Sequence, residues 1–274
     1  MLGLTHSVTI DRRGRLLRWA ALIAAATLLS LIFASTTARA DSKPTVVLVH
    51  GAFASPEGWT KVTDALHKDG YQTATPALDM DSVAGDVATV RSTLGSIAGD
   101  KILVGHSYGG FVITNAASDR TDVSGLVYAA AFVPDTGETI TSLGVGYTPG
   151  TFLTHLIPAP SGFPKVIDDP RFYAADFAQE LNPKLAAEIT AQQRPTSVFV
   201  FGTPSGPGAW HDIPSWYAIS GADRAIDPDL ERFMAERAGS TTVQFDDASH
   251  VGALTHYSAR FVKLVEQAAL ATAT

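Results

Sequence analysis

A chain of 274 residues that is 46% hydrophobic has enough apolar material for one sizeable α/β domain with an insertion. Five arginines and one aspartate fall within residues 1–40, so the remainder carries 15 basic against 26 acidic side chains, a balance that argues against nucleic-acid binding. The absence of cysteine excludes disulfides, a thiol nucleophile and a cysteine-borne lipid anchor.

Taken in order, Arg12, Arg13, Arg15 and Arg18 precede the apolar run Trp19 to Phe33, which ends in Ala38-Arg39-Ala40. That order predicts a secretory signal peptide over residues 1–40, cleaved after Ala40, and an exported protein, periplasmic or extracellular. The uncharged run is shorter than the ~20 residues of a membrane span, so no stable membrane anchor is expected after cleavage. The Arg12-Arg13 pair leaves both the general secretory and the twin-arginine routes open.

Residues 41–274 read as one domain of alternating strands and helices. Thr45 to Val49 is a β-branched run suited to a strand buried on both faces, and it ends in His50-Gly51-Ala52-Phe53. A helix near Trp59 to Lys68 stops at Gly70, and Tyr71 to Ala77 reads as a second strand. Val87, Val90, Leu94 and Ile97 recur at helical spacing from Val83 onward. Lys101 to Ser107 is the next strand; it leads into Gly105-His106-Ser107-Tyr108-Gly109-Gly110 and a helix over Phe111 to Ala117. Gly125 to Ala131 follows as a buried strand. From Pro134 to about residue 205 the periodicity fails, with frequent prolines and interspersed aromatics predicting an inserted lid of short helices and loops. Strands at Ser215 to Ser220 and Thr241 to Phe245, a helix from Pro228 to Ala238 and a final helix from Tyr257 to Ala269 restore the pattern. Such alternation predicts right-handed crossovers and a mostly parallel central sheet flanked by helices.

Gly-x-Ser-x-Gly arises by chance in roughly one chain in ten of this length, so its surroundings carry the reading. Here it closes a strand and opens a helix, the setting in which a serine is held in a strained turn with its hydroxyl exposed. Ser107, Asp223 and His250 follow three separate strands, and in open α/β sheets the carboxyl ends of strands share one crevice. Ser107 is then the candidate nucleophile, His250 its base and Asp223 the group that fixes the imidazole tautomer. Tyr108, following the nucleophile, and Ala52, in the first turn, are the candidate backbone donors to an oxyanion, with Phe53 the weaker choice for the second. Asp227 and His256 are the rival acid and base. His50 reads as a turn residue whose ring bonds backbone, and His106 as a packing residue. His155, His211, His250 and His256 form no ligand motif such as H-E-x-x-H, so neither a metal nor another cofactor is expected.

Across residues 45–270 the chain resembles the α/β-hydrolase superfamily. Val49-His50-Gly51-Ala52, Gly105 to Gly110 and Ser249-His250 are similar to the lidded branch that includes plant methylesterases, hydroxynitrile lyases and bacterial exported esterase-like proteins. The resemblance implies a serine triad, a backbone oxyanion hole, no cofactor and small ester-like substrates. Hydroxynitrile lyases of this branch carry a lysine after the catalytic histidine and a threonine in the first oxyanion turn, where this chain has Val251 and Gly51. Epoxide hydrolases and dehalogenases use aspartate at the elbow, where this chain has Ser107. The expectation is an exported serine esterase acting on small carboxylic esters through an acyl-enzyme. Its alternatives are a ligand-binding protein on the same fold with negligible turnover, and an acyltransferase or perhydrolase using the same triad.

Overall fold

The computed structural model describes residues 43–273, preceded only by Gly3. The predicted signal peptide, Gly3 aside, lies outside the described residues.

The chain runs β1 (Thr45–Val49), α1 (Thr60–Lys68), β2 (Thr73–Ala74), α2 (Val83–Ser96), β3 (Lys101–Ser107), α3 (Tyr108–Ala117) and β4 (Val123–Ala131). A covering segment then carries α4 (Ile140–Leu143), β5 (Leu156–Pro158), β6 (Lys165–Asp168), α5 (Tyr173–Phe177), α6 (Pro183–Ala191), β7 (Thr196–Ser197) and α7 (Phe199–Gly202). The main layer resumes with β8 (Ser215–Ser220), α8 (Pro228–Arg237), β9 (Thr241–Phe245) and α9 (Ser258–Ala271).

Six strands form one sheet in the order β2-β1-β3-β4-β8-β9, and every neighbouring pair is parallel. The two-residue period of a strand sorts its apolar side chains into two cores. Val47, Val49 and Leu103 pack on one face with residues of α2, α3 and α8; Val46, Leu48, Ile102 and Val104 pack on the other with α1 and α9. Burial on both faces explains why these strands read as continuous apolar runs rather than alternating ones. Local chemistry marks the helix starts. Ser82 accepts from the Gly85 amide at α2, and Asp227 accepts from the Asp229 amide at α8, where Pro228 occupies the first turn.

The chain leaves β1 for β2 and then returns past β1 to β3, so successive strands diverge from the β1/β3 boundary. The loops at the carboxyl ends of those strands bracket a crevice there, the usual ligand position in open α/β sheets.

Two expectations are corrected. The second strand is only Thr73–Ala74, pairing with Val46 and Val47 at the sheet edge, because Pro76 lacks a ladder donor and the chain turns away. The segment after Pro134 is not only short helices and loops: β5, β6 and β7 form an antiparallel three-stranded sheet. Strands of two to four residues bounded by prolines are too short to show a period.

Candidate active site

β3 delivers Ser107 with φ 54° and ψ −124°, and α3 begins at the next residue. A non-glycine residue in that region is strained by about 1–3 kcal/mol and persists only where its surroundings hold it. The holding contacts are close. A Cβ on Gly109 would lie 2.2 Å from the Val49 carbonyl oxygen, and one on Gly105 would lie 2.7 Å from the Gly109 carbonyl oxygen. Only glycine permits the helix to start this near β1. The Phe132 amide donates to the Ser107 carbonyl at 3.2 Å. On the helix side, the Tyr108 hydroxyl donates to Asp86 Oδ2 at 2.7 Å while Asp86 Oδ1 accepts from the Met80 amide.

Asp223 and His250 are brought together by the turns after β8 and β9. The His250 Nδ1–H donates to Asp223 Oδ2 at 2.6 Å, and both side chains are buried. Asp223 Oδ1 accepts from the amides of Ala225 at 2.6 Å and Ile226 at 3.0 Å, so the carboxylate's orientation is set by backbone. This leaves Nε2 as the uncommitted nitrogen of His250. His106, next to Ser107, donates from Nε2 to the His250 carbonyl at 3.0 Å, with the two ring centroids 4.6 Å apart. Burial, followed by proximity to His250, pushes His106 well below its usual range, so it is a neutral donor. The elbow and the His250 turn are therefore joined through a side chain that the sequence marks only as packing. Ser107 Oγ has no hydrogen-bond partner among the described residues. Asp227 instead caps α8 and accepts from the Thr148 amide, and His256 is exposed on the surface.

The turn after β1 lies directly on the elbow, since a Cβ on Gly51 would come within 2.7 Å of Ser107 Cβ. His50 secures that turn by donating from Nδ1 to the Gly51 carbonyl at 2.9 Å and accepting from the Leu78 amide at Nε2. Burial lowers His50 to about 4, consistent with a ring that accepts on one nitrogen and donates from the other. The Phe53 amide is committed to Thr196 Oγ1 at 2.9 Å, whereas the Ala52 and Tyr108 amides have no acceptor among the described residues.

Behind the pair lies Glu231 of α8, fully buried, whose Oε2 accepts from the Ser220 amide. Desolvation, and after it the Asp223 charge, raises Glu231 well above its ordinary carboxylate value. Nothing in the sequence singles it out; it is simply one turn into the helix that follows Asp223.

Ser107 opens on a cavity walled by Phe53, Phe132, Phe152, Phe177, Phe201 and Ile226. Phe132, Phe152, Phe201 and Ile226 also line a wider, more open cavity of about 320 Å³ beside it. Phe177 packs on the His250 ring at 5.5 Å and on Phe53 at 6.3 Å, so the covering segment supplies the wall nearest the histidine. A further small cavity of about 40 Å³ lies behind the elbow against His50, Trp59 and His106, and Ser107 does not line it.

The profile of a family described as "Alpha/beta hydrolase family" matches residues 46–264. The chain belongs to that family. A curated relative, the α/β hydrolase nvfD of Aspergillus novofumigatus, is 26% identical over 216 residues, covering 71% of this chain and 84% of the relative. A carbendazim hydrolyzing esterase of a Nocardioides species is 39% identical over 111 residues, 35% of this chain and 46% of that protein. Among solved structures, a pyrethroid hydrolase of Sphingobium faniae aligns with TM-score 0.70 and 24% identity over 85% of this chain and 99% of its own. A methylesterase of Arabidopsis, MES16, aligns with TM-score 0.65 and 21% identity over 82% of this chain and 99% of its own. These structural likenesses concern the fold, and they agree with the resemblance to plant methylesterases read from the motifs.

Proposed function

We propose that this α/β hydrolase is an exported serine esterase that cleaves small carboxylic esters through an acyl-enzyme on Ser107. The observation that carries the reading is a strained serine and two uncommitted backbone amides on one apolar cavity, beside a buried Asp–His pair with Nε2 free that His106 ties to the serine turn and Phe177 packs against. The esterase and hydrolase names of the relatives support the same reaction class.

His250 Nε2 takes the Ser107 proton as Oγ attacks the ester carbonyl carbon, and the carbonyl electron pair moves onto oxygen. The Ala52 and Tyr108 amides donate to that oxyanion, each supplying about 3 kcal/mol to the transition state. Collapse expels the alcohol, which receives the proton from the imidazolium, and water activated by the same nitrogen then hydrolyses the acyl-enzyme. Asp223 holds the tautomer and stabilises the imidazolium without itself taking the proton. In an apo site the nucleophile–base hydrogen bond is commonly loose and tightens with substrate, so the lone Ser107 hydroxyl fits this scheme. The phenylalanine walls favour esters with an apolar or aromatic group, and the adjoining cavity gives room for the second substituent.

Hydrolysis of p-nitrophenyl esters of increasing acyl length by wild type and Ser107→Ala tests the assignment. Activity is expected to fall by at least about 10³-fold in the variant; equal activity in both refutes it. Export with cleavage after Ala40 predicts Asp41 as the first residue of the secreted protein, read by mass spectrometry.

A further inference from the structure

Away from Ser107, the covering segment buries a second cluster of chemistry-bearing side chains. Asp168 ends β6, Asp176 lies in α5 and His155 precedes β5; one ligand atom from each lies within 4.8 Å of the other two. Asp176 is satisfied: Oδ2 accepts from His155 Nδ1 at 2.6 Å and Oδ1 from the Thr151 hydroxyl at 2.5 Å. Asp168 is not. Its side chain is fully buried, and neither carboxylate oxygen has a hydrogen-bond partner among the described residues. Its backbone is locked in place by Gln193, which accepts from the Asp168 amide and donates to its carbonyl, so the carboxylate is held where it is. Asp169 turns away to pair with Arg171, and no lysine or arginine pairs with Asp168 or Asp176 among the described residues.

Two carboxylates packed beside an imidazole, one of them without a partner among the described residues, make a poor structural core. Burying a charge without a partner costs several kcal/mol. A doubly charged cation would remove that cost, because two carboxylates and a neutral imidazole carry a charge of −2.

We propose that His155, Asp168 and Asp176 bind one divalent transition-metal ion, zinc by preference, as a structural clamp in the covering segment. An imidazole and two carboxylates suit zinc, which takes nitrogen and oxygen ligands at about 2.0–2.2 Å in a tetrahedron, with water completing the fourth position. Calcium takes six to eight oxygens and magnesium keeps most of its waters, so neither matches a site with one nitrogen and few oxygens. The ring of His155 is partly exposed and stacks on Phe172 at 4.0 Å, which gives the ion an entry side. The sequence hides the site because its ligands are 13 and 8 residues apart on three different elements. The ion ties β6 to α5, and α5 ends in Phe177, the residue against the His250 ring. The expectation of no metal, drawn from histidine spacing alone, is replaced by this assignment.

The test is zinc titration of the purified protein after dialysis against EDTA, read by calorimetry, by metal content after desalting and by thermal melting. One zinc per chain is expected, with a melting temperature raised by about 5–10 °C when zinc exceeds its Kd 100-fold. Asp168→Asn is expected to bind zinc at least about 100-fold more weakly and to lose the shift. His155→Gln, at a partly exposed position, carries the same test should Asp168→Asn fail to fold. Retention of stoichiometric binding in either variant, or less than a tenth of an equivalent bound by wild type, overturns the site. Stoichiometric binding of calcium in place of zinc overturns the choice of ion.

Discussion

Replacing Asp223 by asparagine isolates what the carboxylate does. Both oxygens are occupied, Oδ1 by the Ala225 and Ile226 amides and Oδ2 by His250 Nδ1–H. An asparagine side chain has one acceptor, and two backbone donors claim it at the Oδ1 position. Its NH₂ group therefore faces His250 Nδ1. Two donors cannot share a hydrogen bond, so the imidazole moves its proton to Nε2 and leaves Nδ1 as acceptor. In that tautomer Nε2 cannot take the Ser107 proton, although every atom sits close to its original place. The same substitution in a serine triad of another fold lowers kcat by about 10⁴, or about 5.5 kcal/mol at 1.36 kcal/mol per decade. We expect a loss of this size in kcat for p-nitrophenyl butyrate, with KM changed less than about threefold and the thermal midpoint shifted by no more than a few degrees. Retention of more than a tenth of wild-type kcat, or a loss confined to KM, would falsify the role given to Asp223.

Gly51→Ala places a methyl 2.7 Å from Ser107 Cβ and 3.2 Å from His106 Nδ1, so the oxyanion turn must retreat; kcat should fall about 10–100-fold, measured on the same ester, and unchanged kcat would show that Ala52 is not a donor. Glu231→Gln should keep the fold and most activity, because burial and the Asp223 charge already disfavour the charged carboxylate. Its folded value lies above the unfolded 4.5, so wild-type stability declines as pH rises past 4.5, and the variant should lose that slope in melting curves between pH 5 and 8. His50 has the opposite sign, being lowered from 6.5 to about 4. It contributes about 3 kcal/mol that is fully present above pH 6.5 and is lost as pH falls toward 4. The stability gap between wild type and His50→Ala should narrow across that window in urea unfolding at stepped pH; a constant gap counts against a neutral, bonded ring.

The main sheet was legible because its strands are buried on both faces and separated by helices of ordinary length. Thr45 to Val49, Ser215 to Ser220 and Thr241 to Phe245 lie where their apolar runs fall. Chain order also brought Asp223 to His250, since both follow strands of one parallel sheet. The remaining parts depend on contacts without a sequence period. Thr196 occupies the Phe53 amide from 143 residues away, and His106 reaches His250 across 144. β5 to β7 are too brief for a pattern, and Asp168 differs from any surface aspartate only once it is enclosed.

The Phe177 carbonyl accepts from the Val251 amide at 3.1 Å, directly after His250, the proposed base. A lid exchange between relatives that cuts only at its two sequence ends would sever a partnership with a residue almost fifty positions beyond the second cut. The heritable module is thus discontinuous: residues 134–205 travel with the loop around Val251, and chimeras that separate them should inherit a misaligned base along with the new specificity.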